Sequence, residues 1–332
     1  MSEETSSPKS PRELALERLQ KLKIALDETI SYRLESVFSK TTGWWANLEI
    51  KRRARLILLV EPRLKEMLLQ NEQVLYIAKG VQYSFFESYL RGALLAAMLN
   101  QTVFVLTNLR LLLIRSKSDG KPLDAYWVIY YSEIVQFTPR WTGMLKLRLL
   151  DGKRLTFTGF SRLDRQAMPI IFQSAINDYR SVGFEPAVSQ SRETLCAYCF
   201  NIVPKDEYSC GDCGADYWTP KQLALRSLVF PSWGDFTMRH YGIAATELTF
   251  YVLSWVFAAA QLAGPNPPGG LAVVFGILAF EHPMDAIMTY FVARKGLNPR
   301  QGPNPDRVLH LESDERDDEI SSDEDSDIDP TW

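Results

Sequence analysis

Leu19, Leu22, Leu26, Ile30, Leu34 and Val37 recur at every third or fourth position, the spacing of one apolar helix face. Ser10-Pro11-Arg12-Glu13 supplies the start of that helix: serine caps, proline takes the first helical position, and the glutamate completes a capping box. Thr41-Thr42-Gly43 is a stop. A second helical pattern runs from Trp44 to Val60, and Pro62 reads as opening a short third helix to about Gln70. Residues 12–70 are thus expected to form a helical N-terminal region, with a disordered stretch over 1–11 before it.

From Asn71 to Ser181 the pattern becomes strand-like. Val103 to Leu106 and Leu111 to Ile114 are apolar runs separated by Thr107-Asn108-Leu109-Arg110, and Asp124 to Tyr131 is rich in aromatic and β-branched residues. Between Met144 and Phe157 apolar and polar residues alternate on both sides of Asp151-Gly152, which marks a hairpin. A two-residue turn would oppose Leu149 to Arg154, an inward to an outward position. A three-residue loop over Asp151 to Lys153 instead opposes Leu149 to Leu155 and Leu147 to Phe157. Met168, Ile171, Phe172, Ala175 and Tyr179 then mark an amphipathic helix, with Pro169 expected in its first turn.

Antiparallel strands closed by a C-terminal helix describe a small α+β barrel over residues 71–181. The run Val105 to Ile114, then Tyr131-Ser-Glu-Ile134, then Leu147 to Leu155, resembles the bacterial pleckstrin-homology-like (GRAM-type) domain. That resemblance covers about a third of the chain. It implies a PH-like barrel in a bacterial protein and names no ligand, because the fold hosts lipid, peptide and purely structural roles.

Cys196-x2-Cys199-x10-Cys210-x2-Cys213 uses all four cysteines of the chain. Two CxxC knuckles offer four thiolates to one tetrahedral metal, so residues 193–218 are expected to form a ribbon around a structural zinc ion. A redox pair is the competing reading. Gly211 and Gly214 suit the tight second knuckle. A closed four-cysteine site has no open position for water and does no chemistry. The interval holds Lys205 against Asp206, Glu207, Asp212 and Asp216, a poor balance for nucleic acid.

Ile243 to Ala263 and Leu271 to Val292 are each long enough to cross a bilayer, and Gly264 to Gly270 reads as an uncharged loop between them. Arg226, Arg239 and His240 precede this hairpin (243–292) and Arg294, Lys295 and Arg300 follow it, so both ends are expected in the cytoplasm. Phe230 to Gly242 also resembles, over a short span, the start of known two-helix transmembrane hairpin modules. Glu247, Glu281, His282 and Asp285 interrupt the apolar stretches. Ionisable groups at such depth serve either as an ion or proton site or as protonated, hydrogen-bonded packing and oligomerisation groups.

The charge of -3 conceals a division. From Glu312 to Trp332 eleven acids face one arginine, leaving 36 Lys+Arg against 29 Asp+Glu in the body. Residues 312–332 are expected to be a disordered acidic tail, and the basic body suits an anionic partner. The first eleven residues carry neither the basic nor the apolar region of a secretory signal. Two basic surfaces are candidates for lipid. One is Lys146, Arg148, Lys153 and Arg154 on the hairpin; the other is Trp44-Trp45 followed by Lys51-Arg52-Arg53-Ala54-Arg55.

With every cysteine committed, three histidines, and no phosphate-cradling glycine loop, HExxH or GxSxG, the chain does not read as an enzyme. The expected whole is a multidomain α+β adaptor at the bacterial inner membrane: helical N-terminus, PH-like barrel, zinc ribbon, transmembrane hairpin, acidic tail. It would bind a protein partner or a lipid headgroup on the cytoplasmic side. The alternatives are an ion- or proton-handling oligomer of the hairpin and a membrane-tethered nucleic-acid regulator.

Overall fold

A computed structural model describes residues 9–40, 42–83, 89, 93–140, 142–183, 186–264 and 267–304. The acidic tail over 312–332, and most of the stretch expected to be disordered over 1–11, lie outside the described residues. The chain divides into two compact units, Met1–Thr194 and Leu195–Trp332.

In the first unit, helix α1 (Pro11–Lys21) starts on the Ser10–Glu13 capping box. It stops far earlier than the apolar spacing suggests. The Leu22 N–H bonds back to Arg18 and Gln20, and Lys23 turns to φ 54°. Leu19, Ile30 and Val37 are all buried, but from three separate elements. These are α1, the residue before a two-residue strand β1 (Ser31–Tyr32), and a short helix α2 (Leu34–Val37). Strand β1 was missed because its pairing with Gln73 and Val74 comes from distant sequence. Helix α3 (Ala46–Met67) is one helix with Pro62 inside it, not two. Its turn at Glu61 is held by tertiary bonds, since the Glu61 carboxylate accepts from the Asp27 N–H and the Tyr32 hydroxyl. Such bonds offset the roughly 3 kcal/mol that an interior proline costs.

A sheet follows: β2 (Gln73–Gln82), helix α4 (Ala93–Leu99), β3 (Gln101–Thr107), β4 (Arg110–Ser116), β5 (Pro122–Tyr130), β6 (Ile134–Pro139), β7 (Leu145–Leu149) and β8 (Arg154–Thr158). The strand order β5-β4-β3-β2-β8-β7-β6 is antiparallel throughout, with β1 added parallel to β2. Long β2 belongs to both halves, pairing with β3 along its length and with β8 at Val81 and Gln82. Gly80 lets Phe160 pack there, since a Cβ would stand 2.5 Å from its ring. Consecutive β5 and β6 thus do not pair with each other, and the sheet does not close into a barrel. Helix α5 (Arg162–Val182) supplies Met168, Phe172, Ala175, Ile176 and Tyr179 to the one core that the strands share. Phe104 meets Phe157 and Phe160 edge to face in that core, and Phe172 meets Tyr131 and Phe137.

Two registers differ from expectation. In the β7–β8 hairpin Leu147 opposes Leu155 and Leu145 opposes Phe157. The loop has three residues but is Leu150 to Gly152, which puts glycine at the position with φ 83°. Helix α5 begins seven residues before Pro169, on a Ser161–Asp164 capping box, so this proline is interior.

Candidate metal centre and membrane hairpin

In the second unit, strand β9 (Ile202–Val203) follows the first CxxC knuckle, and β10 (Asp216–Tyr217) follows the second. The Cys196 N–H bonds to the Asn201 carbonyl and the Cys210 N–H to the Ala215 carbonyl, each at 2.8 Å, so the two knuckles fold alike. The residue after each second cysteine takes positive φ: Gly214 at 70°, and Phe200 at 58°. Gly214 is the glycine the turn requires, whereas a Cβ on Gly211 would meet nothing within 4 Å. Phe200 does without glycine the job Gly214 does, which no turn signal announced.

The four thiols converge. Cys196 and Cys213 sulfurs stand 3.6 Å apart, Cys199 and Cys210 sulfurs 3.5 Å, and all four lie within 4.8 Å of one another with no disulfide. The Cys196 sulfur also lies 3.0 Å from the Tyr217 hydroxyl, which accepts the Ala197 N–H at 2.9 Å. Hydrogen bonds from the Cys199 thiol and Tyr217 hold the Cys196 thiol down to about 4. The Cys196 sulfur and burial push Cys199 up, and burial pushes Cys213 up to about 11. Cys196 is thus drawn down while Cys199 and Cys213 are pushed up. A cation among them removes that conflict, so the donor set fits a metal. Tyr217, fixing one ligand from behind, was not visible in the cysteine spacing.

Helix α6 (Pro220–Val229) leads from this module to a short helix α7 (Trp233–Thr237) and then to α8 (Tyr241–Ala263). The return comprises α9 (Pro267–Gly276), a wide π turn over Ile277–Glu281, and α10 (His282–Ala293). The expected loop over 264–270 is shorter than read, because Pro267 and Pro268 sit in the first turn of a helix, where their missing N–H costs nothing. The wide turn ends two residues before Pro283, which cannot continue the hydrogen-bond ladder. Residues 241–263 and 268–293 are long and apolar enough to cross a membrane. Only 17% and 11% of their apolar windows are buried, and Phe250, Phe257, Phe275 and Phe280 face outward.

Both ends of this helix pair return to the metal module. Strand β11 (Pro299–Gln301) pairs antiparallel with β10, the Trp218 N–H bonds to Asn298, and the Asn304 N–H bonds to the Cys213 carbonyl. Trp218 is covered by Arg226 at 3.8 Å and Arg300 at 4.7 Å, one guanidinium from each end. Inside the base, Ser227 and Thr289 hydroxyls meet at 2.9 Å, and Gly234 admits them, since a Cβ there would stand 2.4 Å from Thr289.

The polar residues singled out in the helices divide. Carboxylate oxygens of Glu247 and Asp285 lie within 4.8 Å of each other and of Asp235, which is wholly buried and was missed because it lies outside the apolar stretches. The Asp235 carboxylate is 3.2 Å from His240 Nδ1, and Asp285 accepts the Ser232 N–H at 2.8 Å. His282 is elsewhere, between the Tyr251 hydroxyl at 3.3 Å and the Leu228 carbonyl at 2.9 Å, and Glu281 is also outside the carboxylate cluster. On the β7–β8 hairpin, Lys146, Arg148 and Arg154 are neighbours, joined by the unforeseen Arg140, whose charge leads the lowering of Lys146. Lys153 instead pairs with Asp151 at 2.8 Å.

No protein-family model matches the chain, so the resemblance to the pleckstrin-homology-like family finds no support there, and no curated protein matches it. Among solved structures, the crystal structure of the C-terminal domain of an unknown protein from Leishmania infantum aligns with 32% of this chain and 85% of its own. Its identity is 15% and its TM-score 0.24, too low to carry an argument.

Proposed function

We propose that the protein is a non-catalytic, membrane-anchored binding protein, with a zinc-held module at the base of a two-helix anchor. The observation that carries this reading is the joining of both anchor ends to the four-thiol module through β10, β11 and the Arg226–Trp218–Arg300 stack. Zinc is the metal that suits four thiolates, whose sulfurs would stand roughly 3.8 Å apart around Zn–S bonds of about 2.3 Å. The site would be structural, because four protein ligands leave no position for substrate. Bases at both helix ends favour a cytoplasmic face for the module. The strand order β5-β4-β3-β2-β8-β7-β6 followed by α5 is consistent with an open PH-like sheet, and its role is to hold a protein partner or an anionic headgroup at that face.

The test is to express the full chain, wash membranes with alkaline carbonate, and count zinc in the purified protein. One zinc per chain in a carbonate-resistant fraction is expected. Release by carbonate would sink the anchor, and purification without bound zinc would sink the module. A second reading, ion or proton handling, is favoured by the Asp235–Glu247–Asp285 cluster. Proteoliposomes of the full chain would then carry a proton or cation flux abolished by Asp285→Asn, and equal flux in both would discard it.

A further inference from the structure

Helix α3 crosses the first unit over β2, and between them is a cavity of about 550 Å³, within the roughly 300–1,000 Å³ usual for ligand sites. Lys51, Arg52 and Arg55 line it from the helix and Lys79 from the strand. Lys51, Arg52 and Arg55 form no ion pair among the described residues. Two of the acids at the cavity, Glu49 and Asp164, are engaged by Arg53 at 3.4 and 2.6 Å, and Asp119 caps its own loop through the Lys121 N–H. Arg53 is buried, stacks 4.3 Å over the Tyr76 ring, and keeps its second terminal nitrogen, Nη1, without a hydrogen-bond partner. Lys79 donates to a neutral group, the Ser118 carbonyl, with Asp119 nearby favouring its charge. Burial and the neighbouring Arg52 hold its ammonium below the ordinary lysine range. A chain that gathers cations until they oppose one another lowers its free energy by taking an anion between them.

The rim of the cavity indicates where that anion resides. Leu48 lines the cavity and is exposed, and one turn before it Trp44 and Trp45 are 92% and 63% exposed. Two solvated tryptophans beside a row of bases is the composition of a surface that meets lipid headgroups. The β7–β8 bases offer no such combination, lying on an open strand pair.

We propose that the cavity between α3 and β2 binds the phosphate of an anionic lipid headgroup, while Trp44, Trp45 and Leu48 enter the bilayer interface beside it. Arg52 and Lys79 clasp the phosphate from two sides, and Lys51 and Arg55 widen the positive field. This deepens the headgroup arm of the function proposed above; the anion site itself does not depend on the helical anchor.

The experiment uses the full chain in neutral maltoside micelles. It is titrated with phosphatidic acid, with phosphatidylcholine and with inorganic phosphate, and read by the emission of Trp44 and Trp45 against a Trp44→Phe/Trp45→Phe control. Phosphatidic acid is expected to bind at least tenfold more tightly than phosphatidylcholine and to shift the emission to the blue. Arg52→Gln/Lys79→Gln is expected to lose that preference tenfold or more, with Arg55→Gln, exposed and harmless to folding, losing part of it. Lys146→Gln/Arg148→Gln keeps it. Loss in the Lys146/Arg148 variant but not in the Arg52/Lys79 variant would overturn the site. A response to inorganic phosphate with none to phosphatidic acid would overturn the lipid as source. Carbonate release of the chain, with the titration unchanged, would remove the anchor and leave this site standing.

Discussion

In the first unit two buried carboxylates each meet a buried arginine. Glu72 takes Arg110 at 2.9 Å and the Thr107 hydroxyl at 2.6 Å, and Asp164 takes Arg53 at 2.6 Å and the Tyr76 hydroxyl at 2.9 Å. In the second unit acids gather with acids: four thiols within one 4.8 Å cluster, three carboxylates within another. The first arrangement pairs these two acids within the chain, and its product is rigidity. It fixes the Thr107–Arg110 turn and ties α3 and α5 to β2. The second crowds acids together; Asp235 also meets His240 and Asp285 the Ser232 N–H, and a cation or protons would relieve the crowding further.

Four measurements break or sharpen that contrast. The largest effect belongs to the thiols. With zinc in the proposed site, Cys199→Ser/Cys213→Ser, or a strong chelator, would remove its binding free energy, about 10–16 kcal/mol for structural zinc. Hydrogen exchange should then rise through residues 196–218 and 298–304 and spare the core of the first unit; unchanged protection would mean the module folds without metal. Next comes the paired charge. Glu72→Gln leaves Arg110 buried against a neutral group, and thermal unfolding should report a loss of about 3–5 kcal/mol. A loss below 1 kcal/mol would put that pair among ordinary surface contacts. Asp285→Asn keeps the acceptor for the Ser232 N–H and relieves like charge, so it should cost less than about 1.5 kcal/mol. A cost as large as that of Glu72→Gln would erase the difference between the two units.

The smallest effect is a pH slope. Burial and Arg52 lower the folded-state value of Lys79 from 10.5, so between the two values the unfolded chain binds more protons and stability rises with pH. Lys79→Met should flatten that rise, measured as the alkaline limb of unfolding curves. A wild-type slope that survives the substitution would assign it to another group.

What the sequence disclosed was local. The thiol spacing, the Ser10 capping box, the apolar face of α5 and the inward parity of β7 and β8 each rest on a few adjacent residues, and each is present. What stayed hidden depends on distant partners. The spacing through Leu26 and Ile30 looked helical, yet β1 formed because Gln73 and Val74 were there to pair. Pro62 looked like a helix start, because nothing nearby reveals the bonds from Asp27 and Tyr32 that hold the helix through it. The start of α5 is local in origin: Ser161 and Asp164 form its capping box, and Pro169 falls inside the helix. Asp235 and Tyr217 join their clusters only in three dimensions. Sheet closure failed as an expectation because strand counts say nothing about which edges meet.

The pairing of Tyr217 with Pro299 also has a history within synthesis. The second strand leaves the ribosome about 80 residues after the first, a wait of roughly 4–16 s at 5–20 residues per second. During that wait both apolar helices are synthesised, so the β10–β11 ladder can form only after they have been made. Among the described residues it is thus the last strand pairing of the second unit that synthesis permits.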